Sequence, residues 1–255
     1  MLAAFLFVLS GSITNTNAEG VAWVAKAEQK LYRWPSPGVV VKFDAKTDAL
    51  NPAIAEMERE LAKKPSTEGK NLVAALKQMV VHGSVDTGTG ALTTEVDIPF
   101  KTDDPQGKQA LQKMKAMMGE TMRGAFGGLP LHDPSLVPHG GSIVDSQTAG
   151  DTVFVTIADR KPDEHTVLTL NRESCLPAKV DMPKTHMELT YTEVMPGKFA
   201  PSHIDVTLQG GTSSHADYAW QKIGDCVFPT SIKLGRGDQS ASVTFESVHV
   251  EPRGR

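Results

Sequence analysis

From about Asp151 to Pro252, apolar and polar residues alternate with a period of two, and turn-forming residues interrupt the alternation at intervals. Val153, Val155 and Ile157 make one set, and Leu168 and Leu170 the next. Met187, Leu189 and Tyr191 follow, then Ile204, Val206 and Leu208, then Ala216, Tyr218 and Trp220, then Ile232 and Leu234. Gly150-Asp151, Pro196-Gly197, Gly210-Gly211, Gly224-Asp225 and Gly235–Asp238 stand between them. Strands spaced about 8–14 residues apart with tight turns predict an antiparallel meander whose strands each have one dry and one wet face. Val243 and Phe245 begin the last strand, and Val248 and Val250 end it. The change of phase between them predicts a β-bulge.

A proline-led pattern occurs three times: Cys175-Leu176-Pro177-Ala178-Lys179-Val180, Phe199-Ala200-Pro201-Ser202-His203-Ile204 and Val227-Phe228-Pro229-Thr230-Ser231-Ile232. Proline removes a ladder donor, so it fits a strand start or a bulge. The prolines are 24 and 28 residues apart, two strands and two turns. They therefore mark alternate strands at one end of the sheet.

The first half has a different rhythm. Val21, Val24, Leu31 and Trp34 fall on one helical face, and Pro35 and Pro37 end that helix. Val39, Val41 and Phe43 line one side of a strand. Asn51-Pro52 reads as N-cap and first helical residue of a helix burying Ile54, Met57 and Leu61. Pro65 stops it, and a second helix from about Thr67 buries Leu72, Leu76 and Met79. Val80 to Phe100 predicts a hairpin turning at Thr87–Gly90, with Val96, Ile98 and Phe100 on its buried side. Asp104-Pro105 opens the longest helix, which stops at Gly127-Gly128. Leu111, Met114, Met118, Met122 and Phe126 line one face of it, with Met117 beside them. Two readings of this methionine stripe stay open: core packing, or a flexible thioether surface that adapts to apolar ligands. Gly127–Gly141, with Pro130, Pro134 and Pro138, connects a helix-rich part (19–141) to a sheet-rich part (142–252). The fold class is α+β. A single domain over 19–255 is the first reading, and a linker between two domains is the alternative.

Composition narrows the compartment and the partners. Leu2–Leu9 is an unbroken apolar run, the length of an export-signal core and too short to span a bilayer. Thr16-Asn17-Ala18 supplies a cleavage site, so residues 1–18 read as a signal peptide and the protein as periplasmic or secreted. No later run is long enough for a transmembrane segment. Of the 255 residues 22% are charged, and the net charge is −4 with lysines and arginines scattered. That balance lacks the basic footprint of a nucleic-acid binder. In an exported chain an isolated pair, Cys175 and Cys226, reads as a candidate disulfide. It requires neighbouring strand starts, and would stabilise by about 3–4 kcal/mol. Two unpaired buried thiols are the alternative.

Catalytic signatures are missing from the sequence: there is no G-x-S-x-G, H-E-x-x-H, C-x-x-C, P-loop or dinucleotide fingerprint. No catalytic residue, metal ligand set or cofactor is assigned. His132 and His139 share a loop with Asp133, but their spacing fits no rigid metal site. His186, His203, His215 and His249 alternate with apolar positions or sit near turns, and read as a solvated sheet face. Asp103-Asp104 reads as a helix N-terminus.

An export signal, early helices and then a meander of proline-led strands resemble the periplasmic lipoprotein-carrier proteins, the LolA/LolB-like fold; the three proline repeats and the aromatic strand Tyr218-Ala219-Trp220 carry the resemblance, over about 100 residues of the second half. The resemblance implies a strongly curved antiparallel sheet, an open half-barrel meander with helices on its concave face, and an apolar hollow for acyl chains. The first half departs from that family. It has an added methionine-bearing helix and two helices between early strands, and no arginine stands where the carrier's lid-fastening residue would be. The expected function is non-enzymatic binding of a lipid or acyl chain, with a lipid or an acylated protein as partner. The lining would come from Leu189, Tyr191, Ile204, Val206, Tyr218 and Trp220 on strands and from Met114, Met118, Met122 and Phe126 on the long helix. The alternatives are an envelope interaction domain with a filled core and no small-molecule ligand and, third, an envelope hydrolase.

Overall fold

A computed structural model describes residues 18–35, 38–127, 131, 135–138, 140–158 and 164–252. The export segment Leu2–Leu9 with Thr16-Asn17, and His132, Asp133 and His139, lie outside the described residues. The elements in chain order are α1 (residues 18–30), β1 (Val39–Thr47), α2 (Asn51–Lys63), α3 (Thr67–Lys77), β2 (Val80–Asp86), β3 (Leu92–Asp97) and α4 (Pro105–Gly127). Then come β4 (Ser142–Ala149), β5 (Thr152–Ala158), β6 (His165–Asn171), β7 (Pro177–Met182) and β8 (Thr185–Met195). Last are β9 (Lys198–Leu208), β10 (Ser213–Ile223), β11 (Cys226–Arg236) and β12 (Gln239–Pro252). The fold is α+β: twelve antiparallel strands in one open, unclosed sheet, with four helices among the described residues. Strand order is β3-β2-β1-β12-β11-β10-β9-β8-β7-β6-β5-β4.

Two compact units share this sheet. One comprises Met1–Arg33 and Asp133–Asp217, the other Trp34–His132 and Tyr218–Arg255. The partition joins α1 to β4–β9 and β1 to β12, rather than dividing helix-rich from sheet-rich halves.

In unit one, α1 lies on β4–β6. Val24 and Ala27 pack with Ile143, Val153, Val155, Ile157, Leu168 and Leu170. The buried face of α1 runs through Gly20, whose missing side chain lets the helix approach the sheet. A Cβ there would stand 2.9 Å from Ile143 Cγ2 and 3.1 Å from Ser146 Cβ. Val21, expected on that face, is instead 52% exposed. After the helix, Leu31 forms a parallel bridge with Phe199, and the Tyr32 amide donates to the Phe199 carbonyl at 2.8 Å.

In unit two the core is aromatic. Phe43 of β1, Phe126 of α4, Phe228 of β11 and Phe245 of β12 pack with ring centroids 5.2–5.6 Å apart. The predicted bulge is present: Lys42 pairs His249 and Asp44 pairs Glu246, so Phe43 faces both Ser247 and Val248. Ser247 takes φ +50° there. The predicted hairpin turn is also present, with the Asp86 carboxylate accepting from the Gly88 and Thr89 amides. Helix α2 departs from expectation at its start. Asn51 is already helical, Leu50 is the N-cap, and no side chain caps it. Helix α3 is capped by Ser66, whose hydroxyl accepts from the Gly69 amide at 3.2 Å.

Pro177, Pro201 and Pro229 fall in β7, β9 and β11, alternate strands of the order. The β8–β9 register shifts at Tyr191↔Pro201, and the β6–β7 register shifts at Leu170↔Pro177. The expected disulfide is corrected: Cys175 and Cys226 are both free thiols. Cys175 precedes β7 and Cys226 begins β11, with β8, β9 and β10 between them in the order. A disulfide spans at most about 7 Å between Cα atoms. That is little more than one inter-strand step of about 4.8 Å. Cys175 instead takes φ +59° in a turn where its amide donates to the Asn171 carbonyl.

Candidate functional site

The inward face of unit one loses its cover in a graded way. One cross-strand row reads Val155, Leu168, Val180, Met187 and Val206. Val155 and Leu168 are 0% and 1% exposed, whereas Val180, Met187 and Val206 are only half-buried. The β7–β8 and β8–β9 registers set Met182 opposite Thr185 and Thr185 opposite Leu208. There Met182 is 37% and Leu208 46% exposed. Helix α1 explains the gradient. It runs from β4, where Gly20 meets Ile143, to the start of β9, where Leu31 bridges Phe199. Leu208 lies nine residues farther along β9, about 30 Å at strand rise, so that corner is beyond the reach of α1. Apolar side chains left in water at a sheet corner can exchange that water for hydrocarbon at roughly 25 cal/mol per Å².

Four of the expected lining residues meet on this face. Leu189 pairs Ile204, and Met187 pairs Val206, in adjacent registers. Ile204 is 8% exposed, and Leu189, Tyr191 and Val206 are half-buried. Burial holds the Tyr191 phenol far above its ordinary range, so it stays neutral. Met182 and Val180 were not among the expected lining. Their alternation in the short run Pro177–Met182 was the available signal, and the adjoining Pro183-Lys184 turn obscured it.

The outward face of the same strands carries a histidine–carboxylate ladder. His203 Nδ1 lies 2.6 Å from Asp217 Oδ1, and its Nε2 lies 2.8 Å from Asp205 Oδ2. The His215 ring stacks near His203, with centroids 6.2 Å apart. His186 pairs Asp181 closely and reaches Glu188 at 3.3 Å, while Lys179 Nζ lies 2.5 Å from Glu188 Oε1. Hydrogen bonds donated by the His203 ring to Asp217 and then to Asp205 raise the His203 pKa, and those to Asp181 and then to Glu188 raise that of His186. Lys179 and then His186 lower the Glu188 pKa. These groups satisfy one another along the face. Among the described residues no three His, Cys, Asp or Glu side chains converge as a metal site.

The remaining expected lining lies in unit two. Met118 and Met122 are 3% and 2% exposed, and Phe126 stands in the four-phenylalanine cluster, so this part of the stripe is packed core. Met114 is half-buried, and Met117 is 51% exposed. Tyr218 and Trp220 stack on each other with centroids 5.8 Å apart, and burial pushes the Tyr218 phenol up to about 12. Two open clefts lie among the described residues of unit two. One, of 570 Å³, lies between α2 and α3 over Leu61, Ala62, Pro65, Val73 and Ala74, with the Glu58–Lys77 ion pair at its rim. The other, of 420 Å³, lies at the start of α4. No described helix is long and apolar enough to cross a membrane.

No family model matches the chain, and no curated protein or solved structure matches it.

Proposed function

We propose that this chain is an exported, non-enzymatic protein that binds a lipid or acyl chain on the sheet corner formed by Val180, Met182, Met187, Val206 and Leu208. The observation that carries the reading is the exposure gradient. One continuous apolar face is sealed by α1 at β4–β6 and left to water at the far ends of β7–β9. A partner without hydrogen-bonding groups fits such a surface, because the strands beneath it pair with one another in antiparallel ladders and it offers apolar side chains.

The test is titration with the uncharged fluorescent probe N-phenylnaphthylamine. Saturable binding at micromolar probe is expected. Met187→Glu and Leu208→Glu, which place a carboxylate on the apolar corner, weaken it by about tenfold or more. Absence of saturation, or unchanged binding in both variants, removes the reading. Export is tested separately by sequencing the N-terminus of protein recovered from its native envelope. A chain beginning at Glu19 is expected, and one beginning at Met1 refutes export.

The rival reading, an envelope interaction domain with a filled core, draws on unit two, where the Phe43–Phe126–Phe228–Phe245 cluster leaves its methionine helix no open face at Met118 and Met122. A co-purifying lipid detected by native mass spectrometry counts against it.

A further inference from the structure

We propose that the apolar corner is gated by the histidines behind it: an apolar ligand is held while His186 and His203 are protonated, and the β8–β9 seam loosens and releases it when they lose their protons. The proposal rests on the sheet-corner reading for its ligand and adds the regulation of that site. All the residues it uses belong to unit one.

Strands β8 and β9 carry opposite chemistry on their two faces. On the inward face their seam is made by Met187↔Val206 and Leu189↔Ile204. The rung between those apolar pairs is Glu188↔Asp205, whose side chains point to the other face. Two carboxylates thus stand directly opposite each other on the back of the corner, a pairing that is destabilising by itself. Directly across the seam His186 faces Thr207 and His203 faces Thr190, which carry no charge. The neutralising groups come from the flanks. His186 and Lys179 hold Glu188, and His203 holds Asp205. His215 of β10 also pairs Asp205 in the register, with its ring 6.2 Å from that of His203.

Both imidazoles have carboxylate oxygens at both ring nitrogens. His203 Nδ1 lies 2.6 Å from Asp217, and its Nε2 2.8 Å from Asp205. His186 Nδ1 meets Asp181 closely, and its Nε2 lies 3.3 Å from Glu188. A neutral imidazole donates one hydrogen bond, so only the imidazolium serves two acceptors. Deprotonation turns a ring lone pair toward one carboxylate at each histidine, and removes the positive charge beside Glu188 and Asp205. Asp181, Glu188, Asp205 and Asp217 are then left with Lys179, four carboxylates around one ammonium. The raised pKa values of His186 and His203, caused first by Asp181 and by Asp217, agree with this geometry. Because folding raises them, the clamp is complete below the ordinary histidine value of about 6.5 and is lost as pH rises through the raised values. Tyr191, on the inward face of β8, is kept neutral by burial and takes no part. Helix α1 seals β4–β6 and does not reach the corner, so its packing adds nothing to the β8–β9 ladder there.

The experiment takes two readouts on the full chain, from about pH 5 upward through the ordinary histidine value of about 6.5. The first is amide hydrogen exchange of the free protein, with β5 and β6 as internal reference for the pH dependence of exchange itself. Protection of β8 and β9 should fall relative to that reference by about threefold to tenfold, since each exposed charge contact is worth a factor of up to about five. The second is affinity for N-phenylnaphthylamine, a probe uncharged throughout, which should weaken over the same range. His186→Gln/His203→Gln should bind the probe in acid as weakly as wild type does at high pH. Glu188→Gln/Asp205→Asn, which removes the opposed charges, should keep protection and affinity as pH rises. Melting by circular dichroism in acid confirms that both variants fold. Protection of β8–β9 that tracks β5–β6 at every pH overturns the proposal. So does probe affinity that ignores pH, acid affinity unaltered in the histidine variant, or a carboxamide variant that loses affinity as wild type does. Absence of saturable binding at every pH is a distinct result, which removes the corner reading and this proposal with it.

Discussion

Gly83→Ala tests whether the methionine-bearing helix closes a solid core. Gly83 of β2 pairs directly with Phe43 of β1. A Cβ at position 83 would stand 2.2 Å from Phe43 Cζ, 2.4 Å from Cε2 and 3.0 Å from Cε1. Ordinary contact begins near 3.4 Å, so the ring must move by more than 1 Å. It has nowhere to go: Phe126, Phe228 and Phe245 hold it at centroid distances of 5.6, 5.4 and 5.2 Å. Overpacking of this kind costs roughly 1–3 kcal/mol. Disturbing the ring pairs adds about 0.5–1.5 kcal/mol for each pair that is lost. Replacing glycine by alanine recovers about 0.4–1 kcal/mol through the unfolded chain. The net expectation is a loss of about 2–3 kcal/mol, which lowers the urea midpoint by roughly 1 M. The assay is urea unfolding followed by tryptophan fluorescence. In a Phe43→Leu background the ring tip is gone, and Gly83→Ala should then cost less than about 0.5 kcal/mol, a coupling within the range for contacting residues. A Gly83→Ala protein as stable as wild type, or strict additivity of the two changes, would falsify the packed-core account of α4.

Other consequences can be checked with simple measurements. His186 and His203 have pKa values raised by facing carboxylates. Their stabilisation is complete below the ordinary histidine value of about 6.5 and is lost as pH rises through the raised values. The melting temperature should therefore fall as pH rises above about 6.5, and His186→Gln/His203→Gln should flatten that slope. A slope unchanged in the double variant removes the ladder as its cause. Thiol titration without reductant should find two groups in denaturant but only Cys175 in the native protein, because Cys226 is 1% exposed. No thiol in denaturant would restore the disulfide. Gly20→Val should destabilise by about 1–3 kcal/mol, because α1 must lift from Ile143 and Ser146; an unchanged urea midpoint argues against α1 as the cover of β4–β6. Ser247→Gly should stabilise by about 0.5–1 kcal/mol, since the bulge holds residue 247 at φ +50°.

What the sequence revealed follows from which interactions are local. The period-two sets Val153–Ile157 and Leu168–Leu170 state their buried face directly, and all five residues are at most 1% exposed. The bulge was legible because Phe245 and Val248 cannot share a face without an extra residue between them. Gly20 was not legible. A glycine scores as neutral in a hydrophobic pattern, yet its missing Cβ is what lets α1 reach the sheet. The outward histidines looked like a solvated face because their partners come through cross-strand register, as when Asp217 faces His203. The Met118–Met122 stripe had two readings because its surroundings, Phe43, Phe228 and Phe245, come from strands far away in the chain. The disulfide failed for the same reason: equivalent places in two hairpins are not neighbouring places in a sheet.

The strand order follows the chain closely. From β4 to β12 each strand pairs with the next in the chain, and β12 then pairs with β1, which leads to β2 and β3. Strands β3 and β4 are the exception, consecutive in the chain yet at opposite edges of the order. A hairpin joining them would need only about 2–5 residues. The chain instead inserts α4, 23 residues long and so about 34 Å of rigid helix. Asp104 starts the helix at its N-cap, and Met118, Met122 and Phe126 anchor its second half in the aromatic core of unit two. The first half of α4 is held more loosely: Leu111 and Met114 are only half-buried, and Lys108, Lys113, Lys115 and Met117 are exposed. The segment that takes the place of the missing hairpin thus divides into a half that packs and a half that presents lysines to the cleft at Phe100. That division is encoded in its sequence: apolar residues at the spacing of one helical face throughout, and positive charge only before Met118, apart from Arg123, which pairs with Glu120 at 2.6 Å.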